Sequence, residues 1–357
     1  MEKKNVFIKQ GRNSNIEFYR IIVMLFIVAH HYVVNSGLMD VMKEEPLSGN
    51  SIFFYLFGAW GKTGINCFVL ITGYFMCKSQ ITVQKFLRLL FEVLFYNILI
   101  YFVFIACKYE KFSLGGVINI IPCRYLCDGF VSCFLVFYLC IPFLNILINN
   151  LDKKKHSLLI LLSLFIYTLH SSFPYMGVGM NYVSWFMVLY FISSYIRLYP
   201  CKYDRNTMFW MICTILCVVL SVASIISILW MNVRFGKDIF PYRMLSDSNV
   251  ILALLTAVCS FMWFKNIKLP QSKYINMVGG ATFGVLLIHA NSDTMRRWLW
   301  QDLLDNVGHY SDEYFWLRPI VAVFCIFIVC IVIDRLRIVF IERPLFKNME
   351  KRSFGNG

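Results

Sequence analysis

The chain has 357 residues, 59% of them hydrophobic and 15% charged, against about 45–50% and about 25% in soluble domains. With 17% aromatic residues and a mean hydropathy of +0.64, this excludes a soluble enzyme, a disordered chain and a disulfide-stapled miniprotein. A polytopic membrane protein remains, in which a net charge of +14 reads first as loop anchoring on one side of the bilayer and not as a nucleic-acid patch.

A polar segment, 1–15, comes first. Apolar runs able to cross a hydrocarbon core of ~30 Å then fall at 18–36, 52–77, 87–107, 129–149, 157–173, 178–196, 207–231, 248–264, 277–290 and 317–341. A short polar tail, 342–357, follows. The fifth run is short and the ninth is interrupted by glycine. The first is too long and uninterrupted for a cleaved signal. These runs predict an all-α fold with about ten transmembrane helices, one membrane domain over 1–357, and both termini on the same side.

The basic residues say which side. The two terminal segments and the loops at 78–88, 150–156, 197–206 and 265–273 carry 22 of the 34 Lys and Arg, and the opposite loops carry 10. Arg20 and Lys62 lie within helices and complete the set. The opposite loops also hold 12 acids, among them Glu44, Glu45, Asp302, Asp305, Asp312 and Glu313. The positive-inside rule then puts both termini in the cytoplasm. Membrane lipid is an expected partner and nucleic acid is not.

The 13 cysteines form no CxxC and no Cys/His pair with metal spacing, so no metal is expected. Most, such as Cys107, Cys140, Cys213, Cys217, Cys259, Cys325 and Cys330, lie inside predicted helices, where a thiol is a small apolar filler. Cys123 and Cys127 fall in one loop and are the candidate disulfide.

Charges inside apolar runs cost roughly 2.5–3.5 kcal/mol each on insertion scales and are candidates for function. Arg20 and His31 are eleven residues apart, which on an α-helix is three turns plus about 20°, so they share one face about 16 Å apart. His30 points about 80° away. One reading is an arginine reaching lipid phosphates and a histidine closing the helix end. The other is a cation at the cytoplasmic mouth and a base deeper on the same stripe, the layout of a transmembrane group transfer from an anionic donor to a hydroxyl.

Lys62 stands about ten residues inside the second run. It either reaches the outer interface or contacts the donor. Gly61, Gly64 and Gly73 mark close helix packing. Lys85 and Arg88 open the third helix, as topology anchors or as phosphate contacts. His289 closes the ninth run as a cap, a packing residue or a site member. His170 and Glu92 are further polar intrusions with no evident partner.

Seven motifs in order resemble the membrane acyltransferase-3 family over nearly the whole chain. They begin with Glu17, Arg20 and His31, an acidic residue three before an Arg, then ten residues and a His. Next come Gly61 to Phe75, with Thr72 where Ser is usual and Tyr74 after Gly73, and Lys85 with Arg88. Phe134 to Asn145, Tyr182 to Tyr199, Thr282 to His289, and Asp334 to Leu345 complete the series. Two departures stand out: Gly129 where the family commonly has Trp, and Leu287 where Tyr is usual.

The resemblance implies an O-acyltransferase of the bacterial cytoplasmic membrane, moving an acyl group, acetyl by preference, from cytoplasmic acyl-CoA to a hydroxyl of a surface glycan or glycolipid. Acyl-CoA is then a substrate and no bound cofactor is expected. His31, Arg20 and Glu17 carry the catalytic roles, and Arg20, Lys85, Arg88 and Lys62 contact the donor. His30, Thr72, Tyr74 and His289 are further site candidates. No fused extracytoplasmic hydrolase-like domain is expected, so a separate partner collects the acyl group or transfer is direct. The rival classes are a lipid-linked-sugar transporter or flippase, which often shows internal repeats, and a glycan polymerase with a long basic outer loop. Neither feature is present.

Overall fold

The computed structural model describes residues 12–122, 129–172 and 179–347. The expected Cys123–Cys127 pair, the lysines at 3, 4 and 9 and the tail beyond 347 lie outside these. Among the described residues every element is helical and the cysteines are free. The chain runs through α1 (Ser14–Val34), α2 (Leu38–Glu44), α3 (Gly49–Phe57), α4 (Gly61–Met76), α5 (Val83–Ala106), α6 (Leu114–Asn119) and α7 (Phe130–Asn149). It continues with α8 (Lys153–Leu164), a wide π turn (Phe165–Leu169), α9 (His170–Ser172), α10 (Tyr182–Leu198), α11 (Thr207–Phe235) and α12 (Ile251–Asn266). The last are α13 (Lys273–Gly279), α14 (Thr282–His289), α15 (Asp293–Arg297) and α16 (Leu317–Arg337). π turns follow α15 at Trp298–Leu303 and α16 at Ile338–Glu342.

Local chemistry sets many of these limits. Asn13, Thr82, Asp152, Asn181 and Asn206 each accept a backbone N–H at the start of α1, α5, α8, α10 and α11, as polar N-caps do. Gly236, at φ 58°, ends α11 in the left-handed conformation that glycine adopts without strain.

Among the described residues six stretches are long and apolar enough to cross a membrane: α1, α3–α4, α5, α7, α11 and Leu317–Lys347. The sequence predicted ten. Of the remaining four, α10 and α12 are apolar but only 17 and 16 residues long. The predicted fifth run loosens into the π turn after α8. The ninth breaks at Gly280–Ala281 into α13 and α14. The surface agrees with a lipid surround: Phe102 and Val103 of α5, Phe143 of α7, Ile212 and Val219 of α11 and Ile328 of α16 are all exposed, a patch pattern that soluble monomers avoid.

The first helix is the axis of the bundle. It touches α2, α3, α4, α12, α13, α14 and α16, and Tyr19, Val23, Met24, Val28, Tyr32 and Val33 are buried along its length. Close approach needs small residues on the neighbours. A side-chain carbon at Gly61 would strike the His30 ring, one at Gly64 would lie 2.7 Å from Ile27, and one at Gly73 would strike Ser193 of α10. The glycine stripe of α4 is therefore a packing surface on α1 and α10.

A buried ion cluster fixes α5, α14 and α16. Arg337, 3% exposed, reaches Asp334 Oδ1 at 2.8 Å, Glu342 Oε2 at 2.7 Å and Glu92 Oε1 at 3.1 Å. Tyr96 donates to Asp334 at 2.9 Å, and Gly284 of α14 packs directly on the Asp334 carboxyl. Removing one side of a buried pair strands the other charge and costs about 3–5 kcal/mol. Arg337→Leu should therefore abolish the monodisperse peak in fluorescence-detected size exclusion, while Glu342→Gln, at the more accessible edge, should keep most of it. Equal recovery of the two variants would contradict the central place given to Arg337.

Candidate functional site

Polar side chains gather at two levels along α1, one near its N-terminal end and one near its far end. At the N-terminal end Glu17, 5% exposed, lies between two guanidiniums. Arg20 Nη1 is 3.6 Å from Glu17 Oε1, and Arg12 Nη1 is 3.5 Å from Glu17 Oε2. Gly279 of α13 presses on the same carboxylate. The Nε of Arg20 is buried with no hydrogen-bond partner among the described residues. Arg335 of α16 lies within electrostatic reach of Arg12 and Arg343. This end therefore collects four arginines around few carboxylates.

Glu17 is fourteen residues from His31, about 21 Å along the helix. It does not reach a group that His31 touches. Its carboxylate is engaged by Arg20 and Arg12. Arg20 is about 16 Å from His31 along the helix, so it can hold a substrate but not touch the same reacting atoms.

At the far end His31 of α1 meets His289 of α14. His31 Nδ1 and His289 Nε2 are 2.9 Å apart, with ring centroids 5.1 Å apart. His289 Nδ1 lies 2.6 Å from the carbonyl of Val285. A carbonyl only accepts, so His289 Nδ1 carries its hydrogen and the neutral ring offers Nε2 as an acceptor. His31 then donates from Nδ1, and its Nε2 keeps a free lone pair. His289 is wholly buried, at 0% exposed, against the edge of Trp300. His31 is only half-buried, so a small molecule can approach it.

His30 is turned elsewhere, as its phase on the helix predicts. Its Nδ1 donates to the carbonyl of Gly58 at 2.5 Å, and its ring fills the space left by Gly61. It packs the α3–α4 corner.

Lys62 belongs to the histidine level. Its Nζ donates to Tyr182 Oη at 2.7 Å and lies 3.8 Å from Asp247 Oδ1. Tyr182 in turn donates to Asp247 at 3.1 Å. The charge of Lys62 bears on both His30 and His31. From Lys62 to Cys77, at the end of α4, is about 22 Å of helix. Lys62 therefore cannot share a single phosphate with Lys85 and Arg88.

Lys85 donates to Ser79 Oγ at 3.2 Å and to the carbonyl of Gln80 at 2.7 Å, closing the α4–α5 turn. The Arg88 guanidinium stacks 5.0 Å from the Phe346 ring. Both are exposed on the N-terminal-end surface. Thr72 bonds to the carbonyl of Phe68 in its own helix at 2.9 Å. Tyr74 accepts from Arg197 at 2.8 Å and lies beneath that guanidinium and the Lys265 ammonium. Neither residue meets the histidines.

Sequence reasoning missed Asp247 and Tyr182 as partners of Lys62, and Arg337 as the partner of Glu92. Among the described residues no three His, Cys, Asp or Glu side chains gather as metal ligands.

A family model described as an acyltransferase domain matches residues 13–335. No curated protein and no solved structure matches the chain.

Lys62 and Asp247 are both partly exposed, with side chains at 32% and 42%, so their coupling should sit at the lower end of the 0.5–3 kcal/mol seen for residues in contact. A double-mutant cycle of Lys62→Met and Asp247→Asn, read by thermal unfolding in detergent, should give about 0.5–1 kcal/mol. Strict additivity would separate the two residues.

Proposed function

Since the chain belongs to the acyltransferase-3 family, we propose that it is an integral-membrane O-acyltransferase moving acetyl from acetyl-CoA to a hydroxyl of a cell-surface glycan or glycolipid. The observation that carries this reading is the hydrogen-bonded pair of His31 and His289, which leaves His31 Nε2 as an available base.

In this mechanism His31 Nε2 takes the proton of the acceptor hydroxyl as the oxygen attacks the thioester carbonyl. The carbon–sulfur bond breaks, the ester forms, and the thiolate of CoA recovers the proton from His31. Protons and charge balance without a further reactant. His289 touches no reacting atom. It holds the His31 ring in the one tautomer that exposes Nε2.

The four arginines at the N-terminal end suit the phosphates of the donor, since a guanidinium offers a planar fork to an oxyanion. Arg20 is the member on the His31 face of α1. Lys85 and Arg88 flank that end as weaker contacts. An extended pantetheine arm then runs along α1 toward the histidine level. The 22-to-10 split of basic residues supports both termini in the cytoplasm of a bacterial cell. Ten crossings follow if α10, α12, the α8–α9 segment and the α13–α14 segment also cross. A separate partner outside the membrane remains compatible with this scheme.

Four substitutions at three positions test it, with acetyl-CoA turnover in membrane vesicles and the O-acetyl content of surface glycans by mass spectrometry as readouts. His31→Ala should abolish transfer with protein levels unchanged. His289→Phe should lose about 10²-fold, the lower end of what a positioned proton-transfer group contributes, while His289→Gln, which offers an acceptor oxygen to His31, should recover most of it. Arg20→Lys should raise the acetyl-CoA requirement about tenfold, because the ammonium lacks the fork. Wild-type acetylation by His31→Ala would end the proposal.

A further inference from the structure

A cavity of about 350 Å³ opens at the far end of α1, lined by Asn35, Asp293, Thr294, Arg296, Arg297 and Gln301. Its walls continue the two helices that carry the histidines. Asn35 caps α1 one turn past His31, with its N–H on the His31 carbonyl at 3.1 Å. Asp293 opens α15 four residues past His289. One helical turn is about 5.4 Å, so the Asn35 wall of the cavity stands about that far past His31 along α1. The charge of Arg296 bears on His31. Gln301 donates to the carbonyl of Asn35 at 3.1 Å and joins the two walls, and its neighbour Trp300 packs on His289.

The charges of the lining do not cancel. Asp293 is engaged by Arg296 at 2.8 Å. Arg297 rests on the Tyr109 ring at 5.5 Å, with its Nε 3.4 Å from the hydroxyl, and Tyr109 donates to Asp302. Among the described residues Arg297 has no carboxylate partner. The side-chain nitrogen of Asn35 is buried and donates to nothing among them. Arg297, a guanidinium in direct contact with no carboxylate among the described residues, therefore lines a space at the small end of ligand pockets. That space admits a monosaccharide unit and is too small for a nucleotide donor.

We infer that this cavity is the acceptor site and that the acceptor sugar is anionic, carrying a carboxylate or a phosphate that Arg297 holds. A neighbouring hydroxyl of the same sugar is aimed at His31. This deepens the acyltransferase reading and rests on it.

Purified full-length protein in nanodiscs tests the two separately by thermal shift. Acetyl-CoA should stabilise the wild type and the Arg297→Gln variant alike; no shift in either would sink the acyltransferase reading itself. Sodium glucuronate or glucose 6-phosphate should stabilise the wild type where glucose does not, and which of them acts identifies a carboxylate or a phosphate. Arg297→Gln should weaken that effect at least tenfold in apparent affinity, Arg297→Lys less, and Lys43→Gln, an exposed basic residue outside the cavity, not at all. With the acetyl-CoA shift intact, no stabilisation by either anion, equal stabilisation by glucose, or an anion effect that survives Arg297→Gln would each overturn the inference.

Discussion

A helix enclosed on every side has no water at hand, so each polar group it carries must find its partner on a neighbour. The first helix follows this at most of its buried polar positions, while Phe26 is exposed and the Nε of Arg20 has no hydrogen-bond partner among the described residues. Ser14 bonds to Asn276, Glu17 is clamped by Arg12 and Arg20, and Tyr19 lies between Cys67 and Ser260. His30 bonds to Gly58, and His31 to His289. Apart from the Glu17 pairs, each of these contacts ties α1 to a different part of the chain. The polar side chains that look expensive in the sequence are the ones that fix where the neighbours stand.

The placement of α14 follows from the same constraint. It is eight residues long, too short to persist alone. Gly284 seats it against Asp334, and Asp334 is held by Arg337 and Tyr96. His289 lies five residues further along, so its height relative to His31 is set by an ion cluster that touches neither histidine. A fault in that cluster would move His289, and stability and the geometry of the histidine pair are linked through one short helix.

The helical nature of the chain was legible from composition, because apolar runs of twenty residues permit little else. The boundaries were less so. The ninth run read as one segment, yet the Gly280–Ala281 step divides it, and the fifth loosens where its helix widens at Phe165–Leu169. Within the site, the shared face of Arg20 and His31 followed from spacing alone. The outward turn of His30 did too. The partner of His31 could not, since His289 is 258 residues away and a histidine ending an apolar run carries no mark of what it will meet. The partner of Lys62 was hidden for a similar reason. Asp247 sits in an irregular stretch before α12 and has no periodicity to announce it. Glu92 seemed alone only because Arg337 reads, in sequence, as one more basic residue in a basic tail.

The pairing of two imidazoles also bears on why the base is built this way. A carboxylate behind His31 would fix its tautomer equally well, but it would place a permanent charge at a fully buried position, where desolvation costs several kcal/mol unless further donors repay it. His289 is neutral and needs only the Val285 carbonyl of its own helix to settle which nitrogen accepts. It orients the ring while adding no charge between the arginine-rich end and the cavity beyond. The charges that do approach are managed locally, Lys62 by Asp247 and Arg296 by Asp293. Arg297, which rests on Tyr109 with no carboxylate in direct contact among the described residues, stands on the side of the histidines away from Arg20. Two anionic molecules drawn to the two ends of α1 would thus meet at the uncharged step between them, where the lone pair of His31 waits.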